Sequence, residues 1–266
     1  MNELWAIFYG LIQGVTEFLP VSSSGHLALI PYFFELKDPG VFFDLLMHLG
    51  TAFAVMMYFN KDIRLLIDQG RALVFKRDFE NTGFLQNFIA ATFFSFLLIL
   101  VLKKTALDYG RNPVFIGFNF IFFGFLMMLT DLKKSNGVDL TKHSGLKKAI
   151  IIGLSQSIAI FPGISRSGIT LTTSRMLGLG RVEAGRFSFL LSLPVILGGI
   201  VFKIPDIIKG EAFDASVSVM VIGVFSAFLF GLLTIHFFLR LITRFGLVYY
   251  SIYRFIIGGL LLYYSY

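Results

Sequence analysis

The 266-residue sequence contains no cysteine, which excludes disulfides, thiolate nucleophiles and Cys-ligated metal sites. Charge is scarce: Asp, Glu, Lys and Arg make up 15% of the chain, against about 25% in an ordinary soluble domain. A chain so poor in charge lacks the polar residues to cover a water-facing surface. The apolar stretches run for about 16–20 residues without strict alternation, which excludes an outer-membrane β-barrel. No basic residue precedes the apolar run that follows Met1-Asn2-Glu3, so no cleavable signal peptide is expected. No low-complexity tract or polar linker interrupts the sequence, and a single integral membrane domain over 1–266 is expected. What is abundant agrees with this. Hydrophobic residues reach 56%, Phe alone supplies 33 residues, and the mean hydropathy is +0.80. The fold class that follows is an all-α polytopic membrane protein. The net charge of +7 and pI near 9.6 then belong to cytoplasmic loops of a membrane protein, with lipids as surroundings and no nucleic-acid partner.

Six stretches are long and apolar enough to read as transmembrane helices, at 41–59, 84–102, 113–129, 187–202, 217–238 and 249–264. Two others are interrupted. Residues 4–34 carry Gln13, Glu17, Pro20, Ser22, Ser23, Ser24, Gly25 and His26 in their middle, and residues 146–179 carry Gln156, Pro162, Gly163, Ser165, Arg166, Ser167, Gly168 and Thr170. Neither half of either stretch reaches the roughly 20 residues needed to cross a bilayer. Broken backbone at membrane depth is tolerated only inside protein or beside a water-filled cavity, so both stretches read as re-entrant helix–loop–helix hairpins. Residues 61–80 set Ile63, Leu66, Ile67, Leu73 and Val74 on one helical face amid Lys and Arg, the pattern of a helix lying on a leaflet or of a solvated connector.

The two hairpins resemble each other. An ungapped match of 13–25 with 156–168 gives five identities, among them Gln13 with Gln156, Ser22 with Ser165 and Gly25 with Gly168, and two Val/Ile exchanges. Each hairpin is followed by three spans. Three is odd, so the second copy is inverted: repeat 1 covers about 1–130 and repeat 2 about 146–266. Paired breaks at corresponding positions of two inverted halves point to a site at the repeat interface. The loops at 60–83, 130–148, 175–186 and 239–248 together hold fifteen Lys and Arg, against six on the other side. The positive-inside rule makes the richer side cytoplasmic and puts both termini outside. The hairpin tips, entering from opposite faces, are then expected to meet near mid-membrane.

Glu17 is the first chemical signal, since a carboxylate at the centre of a membrane helix costs roughly 2.5–3.5 kcal/mol to insert. Gln13 lies one turn earlier on the same face. The pair reads either as oxygen ligands for Mg²⁺ or Ca²⁺ shared with a substrate phosphate or as a hydrogen-bonded pair. Ser22, Ser23, Ser24 and Gly25 open a second helix, where backbone N–H groups attract phosphate, and one serine is expected to cap that helix. A Ser near His26 is also raw material for nucleophilic catalysis. Arg166, in a buried loop flanked by Ser165, Ser167 and Thr170, offers a guanidinium fork that matches phosphate; a salt bridge to Glu17 is the alternative. Asp44, with His48 one turn on, either extends a metal site or is an interfacial acid at a helix start. Arg254 is expected to snorkel. The set describes a site for a phosphate or diphosphate on a lipid-embedded substrate, in an enzyme or in a transporter of the same architecture.

At Gln13–His26 (QGVTEFLPVSSSGH) and Pro162–Thr170 (PGISRSGIT), the chain resembles the undecaprenyl-diphosphate phosphatases, also called bacitracin-resistance proteins. Length, span count and motif spacing match over the whole chain. The resemblance implies a bacterial inner-membrane hydrolase that converts undecaprenyl diphosphate to the monophosphate and inorganic phosphate. That recycles a carrier lipid for cell-wall synthesis and confers bacitracin resistance. It implies inverted repeats with two re-entrant regions and a dependence on divalent metal, Mg²⁺ or Ca²⁺. It carries catalytic roles onto Glu17, Ser23, His26 and Arg166, with Gln13, Ser22, Ser24, Ser165, Ser167 and Thr170 around them and Gln13 and Glu17 toward the metal. Many members have Glu at position 13; Gln13 weakens a two-carboxylate metal site or moves that role to Asp44. Ser23 is expected to attack the terminal phosphorus or to orient the water that does, and the site is expected to open to the outer face. Associated flipping of lipid phosphate, and a homodimer, stay open.

Overall fold

The computed structural model describes residues 2–34, 39–109, 112–132, 137–142, 145–208 and 216–265. Lys37, Arg111, Lys133, Lys134 and Lys209, which enter the charge count above, lie outside them. Eleven α-helices account for most of the described chain: α1 Glu3–Phe18, α2 Ser23–Phe33, α3 Gly40–Tyr58, α4 Asn60–Arg71, α5 Gly83–Tyr109, α6 Pro113–Asp131, α7 Leu146–Ser157, α8 Arg166–Met176, α9 Arg181–Ile208, α10 Val217–Phe245 and α11 Val248–Tyr264. The one isolated β-bridge among the described residues joins Val138 to Leu179.

Both interrupted stretches fold as helix–break–helix. Asn2 caps α1 by accepting from the Trp5 N–H at 3.1 Å, and Leu19, with extended backbone ahead of Pro20, ends it. In the second stretch α7 runs into a short 3₁₀ turn, Ile158–Ile160, before the Phe161–Ser165 break. The four arms have 16, 11, 12 and 11 residues; at about 1.5 Å per residue none spans the roughly 30 Å hydrocarbon core.

Four of the six expected spans, in α5, α6, α9 and α10, lie in helices long and apolar enough to cross a membrane by length and composition. The span at 41–59 passes only together with α4, which leaves α3 at a 79° bend. Helix α11, over the sixth, has 17 residues, because the positive φ of Gly246 ends α10 and sets where α11 begins. The bent-away α4 exposes Leu65 and Ile67, and the chain beyond it exposes Val74, Phe75 and Phe79. That suits a surface-lying helix better than a solvated connector.

Between helices in lipid, close packing replaces the hydrophobic drive, and small residues let backbones touch. Helix α1 lies on α10 through Gly10 and Gly14; a Cβ on Gly10 would fall 2.5 Å from the Gly223 carbonyl oxygen, and one on Gly14 2.8 Å from that of Ala227. Helix α7 lies on α5 in the same way: a Cβ on Gly153 would fall 2.2 Å from the Ala91 carbonyl oxygen. Each close contact carries a serine hydroxyl bond across it, Ser226 to the Ile7 carbonyl at 2.8 Å and Ser95 to the Gly153 carbonyl at 2.9 Å. Gly10 and Gly153 stand at the same offset as Gln13 and Gln156. The first arm of the first hairpin therefore packs on α10, and that of the second on α5.

At the end of the molecule away from the hairpin tips, buried Asp131 gathers four chain segments. Arg181 of α9 binds it bidentately at 2.8 and 2.9 Å, the Leu247 N–H donates at 2.8 Å, and the Arg175 Nε of α8 lies 3.8 Å away. Asp62 of α4 pairs with Arg186 of α9, 124 residues on.

Candidate functional site

The hairpin tips meet. Glu17, in the last turn of α1, is buried. Its Oε1 is ion-paired with Arg166 at the start of α8. Its Oε2 accepts from Gln13 Nε2 at 2.9 Å and from Ser23 Oγ at 2.7 Å, and His48 Nε2 of α3 lies 3.4 Å from it. Arg166 NH1 donates to the Ser192 carbonyl of α9 at 3.1 Å, and Ser167 Oγ donates across the hairpins to the Leu19 carbonyl at 3.0 Å. Both alternatives considered for these residues exist as contacts: the Gln13–Glu17 hydrogen bond, within α1, and the Glu17–Arg166 salt bridge, between hairpins. The narrow cleft bordered by Glu17, Arg166, Ser167, Ser188 and Ser192 has no room for a water-sized sphere.

Each break turns on a serine with positive φ. Ser22 has φ 71° and ψ 86°, Ser165 has φ 71° and ψ 114°. A non-glycine residue there costs on the order of 1–3 kcal/mol and persists only where its surroundings impose it. These are the two positions that the sequence match superimposes. Ser165 Oγ caps α8 by accepting from the Gly168 N–H at 3.1 Å and lies 3.3 Å from Ser167 Oγ. Ser22 makes no such cap, and its Oγ lies 3.4 Å from Ser24 Oγ. The result is paired hydroxyls at the N-terminus of each second arm, where helix N–H groups favour an anion. Thr170 sits one turn deeper, donating to the Arg166 carbonyl at 2.8 Å and bonded to Ser188 of α9.

His26 is not joined to Ser23. Its Nδ1 lies 2.8 Å from the Ser22 carbonyl oxygen and its Nε2 2.6 Å from the Tyr253 hydroxyl of α11. The hydroxyl of Ser23 is directed instead to Glu17. Asp44 is half-buried early in α3, and that helix reaches Glu17 through His48, whose Nδ1 is 2.7 Å from the Asp44 carbonyl oxygen.

Arg254 corrects the expectation of a snorkelling cation. It is 1% exposed. Its guanidinium donates to four backbone carbonyls: Pro20 at 3.3 Å in the first break, Gly163 at 2.8 Å in the second, and Asn119 and Phe120 of α6 at 3.1 and 3.2 Å. The breaks leave helix carbonyls without intrahelical partners, and in an apolar interior each must find a donor. Five fixed N–H donors on one side chain meet that need at a single point. Asn119 adds a bond to the Pro162 carbonyl at 2.9 Å. Arg254→Met is expected to lower the thermal stability of the purified protein in detergent by several kcal/mol, since each buried carbonyl left unpaired costs about 1–3 kcal/mol. An unchanged melting temperature would show that water or lipid takes over those bonds.

For a divalent cation the donor set is small. Gln13 is fully buried and its Oε1 has no hydrogen-bond partner, while its amide nitrogen is on Glu17. An orphaned amide oxygen beside a carboxylate fits a hard cation that takes its remaining ligands from substrate oxygens and water. It does not fit an all-protein cage, because among the described residues no group of three His, Asp or Glu gathers to hold a metal.

The family described as bacitracin resistance protein BacA matches residues 6–260. The chain belongs to this family. Among its curated relatives, an undecaprenyl-diphosphatase of Caldicellulosiruptor bescii is 37% identical over 98% of this chain and 97% of its own length. One of Geotalea daltonii is 36% identical over 98% of each chain, and one of Saccharophagus degradans 38% identical over 97% of each. The matched region contains both hairpin breaks and every site residue named above. His48, Ser192, Tyr253 and Arg254 join the site only through the fold. Arg254 carried a sequence signal, a lone cation in an apolar run, and His48 its i, i+4 spacing from Asp44; Ser192 and Tyr253 carried none.

Proposed function

We propose that this chain is an undecaprenyl-diphosphate phosphatase of the bacterial inner membrane. In this reading it removes the terminal phosphate from the carrier lipid, which serves cell-wall synthesis and underlies bacitracin resistance. The observation that carries the reading is the buried junction of Glu17, Ser23 and Arg166 between two hairpin tips, in a chain whose full-length relatives bear that activity's name. Arg166 and the paired hydroxyls of Ser22, Ser24, Ser165 and Ser167 hold the diphosphate, with Thr170 bracing the first turn of α8. Either Ser23 Oγ attacks the terminal phosphorus, expelling the lipid monophosphate and leaving a phosphoserine that water then hydrolyses to inorganic phosphate, with Glu17 taking the hydroxyl proton across their 2.7 Å contact, or Ser23 orients a water that attacks directly and expels the same lipid monophosphate. Glu17 is occupied by Arg166 in this structure; a diphosphate that draws the guanidinium away frees the carboxylate to act as base. His26 exchanges a proton with the departing phosphate. Glu17 and Gln13 would hold a Mg²⁺ or Ca²⁺, which when bound supplies neutralisation of phosphate charge.

We further read residues 1–266 as one membrane domain of two inverted repeats, about 1–130 and 146–266. The crossed packing of α1 on α10 and α7 on α5, and the matched serines at the two breaks, support this. Both termini then face outward and the site opens to the outer face. Inverted repeats with broken helices are also a transporter plan, and product flipping as an accompaniment of hydrolysis is read on that ground alone.

The test is inorganic phosphate release from a C55 isoprenyl diphosphate by the purified protein in detergent. Release that EDTA abolishes and Mg²⁺ or Ca²⁺ restores is expected. No release from folded protein supplied with either cation would overturn the phosphatase reading, and lipid-phosphate flux in liposomes would then decide for a transporter.

A further inference from the structure

Helix α11 carries two neighbouring residues that serve the hairpins from opposite sides. Arg254 is fixed on four carbonyls of both breaks and α6, which sets the rotation of the helix. That rotation turns Tyr253, one residue earlier, onto His26. The two ring planes lie 10° apart with centroids separated by 5.7 Å, side by side, and the phenol oxygen lies 2.6 Å from Nε2. The other ring nitrogen is committed: Nδ1 is 2.8 Å from the Ser22 carbonyl oxygen, an atom that only accepts. Nδ1 therefore carries a hydrogen, Nε2 of the neutral ring is the acceptor, and the phenol O–H donates to it. Among the described residues no further hydrogen bond to the His26 ring is found: the Phe120 ring lies 6.2 Å away, and the Arg254 guanidinium is held on backbone oxygens. Ser22, which anchors Nδ1, is itself one of the two serines of positive φ, so the imidazole is held between a rigid break and a rigid helix.

We propose that Tyr253 is a positioning residue for His26. It holds the imidazole as the Nδ1–H tautomer, with the Nε2 lone pair at a fixed place on the α11 side of the anion site. The proposal rests on His26 acting in the phosphatase reaction. A phenylalanine keeps the ring and removes the hydroxyl alone, so Tyr253→Phe separates the hydrogen bond from packing.

The experiment has two arms. In the first, phosphate release is followed for wild type, Tyr253→Phe, His26→Asn and the double variant. The phenylalanine variant is expected to lose about tenfold to a hundredfold in kcat with KM little changed. It is expected to lose nothing further when His26 is already Asn, and to displace the limb of the pH–rate profile that His26→Asn removes. A purely structural tyrosine would act equally in both backgrounds and leave that limb in place; either result, or an unchanged kcat, overturns the proposal. In the second arm, ¹⁵N-histidine spectra, with the His26 signals identified by their loss in His26→Asn, report which nitrogen carries hydrogen. A single Nδ1–H tautomer in wild type and a mixture in Tyr253→Phe is expected. The same mixture in both would refute the contact. If no variant and no wild-type preparation releases phosphate, the phosphatase reading fails while the spectra still decide the His26–Tyr253 pair.

Discussion

Glu17→Gln is expected to reduce phosphate release by about 10³-fold or more while the protein still folds. The amide has the shape of the carboxylate and keeps an oxygen for Ser23, but it cannot take the hydroxyl proton and does not bind a cation strongly. Gln13 and Ser23 both donate to the same Glu17 oxygen, at 2.9 and 2.7 Å, which marks that oxygen as the acceptor at the centre of the site. Ser23→Ala is expected to lose a comparable factor, and the double variant little more than either alone, because groups that act as a unit are not additive. Single-turnover phosphate release on the four proteins makes the comparison. Losses that multiply in the double variant, or a Glu17→Gln enzyme within tenfold of wild type, would remove Glu17 as the base for Ser23.

Arg166→Lys is expected to cost on the order of 10²–10³ in kcat/KM, the size of a lost transition-state donor. Lysine preserves the charge and can still satisfy Glu17. It does not preserve the fork. Arg166 uses NH1 on the Ser192 carbonyl at 3.1 Å and NH2 on Glu17, so one nitrogen anchors the group to α9 while the other is the one that an incoming phosphate competes for with Glu17. A lysine ammonium is a point charge and loses that planar, anchored geometry. An Arg166→Lys enzyme with both kcat and KM within threefold of wild type would show that only charge is needed.

Much of the architecture was readable because membrane insertion acts on local sequence. Runs of apolar residues must form helices to satisfy their backbone in lipid, and Pro20, Ser22–Gly25 and Pro162–Gly168 must break them. The helices at 84–102, 113–129, 187–202 and 217–238 and both hairpins were legible for that reason. The helix at 249–264 was legible as well, α11 running Val248–Tyr264, but the bend after Tyr58 was not, because turn geometry sets it rather than hydropathy.

The site divided along the same line. Insertion cost alone marked Glu17 and Arg166 as residues that need a partner, and helix spacing put Gln13 beside Glu17. Sequence adjacency suggested a Ser23–His26 pair, and the fold instead directs Ser23 to Glu17 and His26 to Tyr253. Tyr253 lies 227 residues from His26, and Arg254 lies 234 from Pro20; no local period relates such positions. The sequence by itself determined that the chain lies in a membrane, where it breaks, and which charged residues require burial with a partner, because each follows from the free energy of placing a segment in lipid. Only the tertiary structure decided who the partners are. Those depend on helix rotation and on glycine contacts such as Gly10 against α10 and Gly153 against α5, which fix how far each hairpin reaches toward the other.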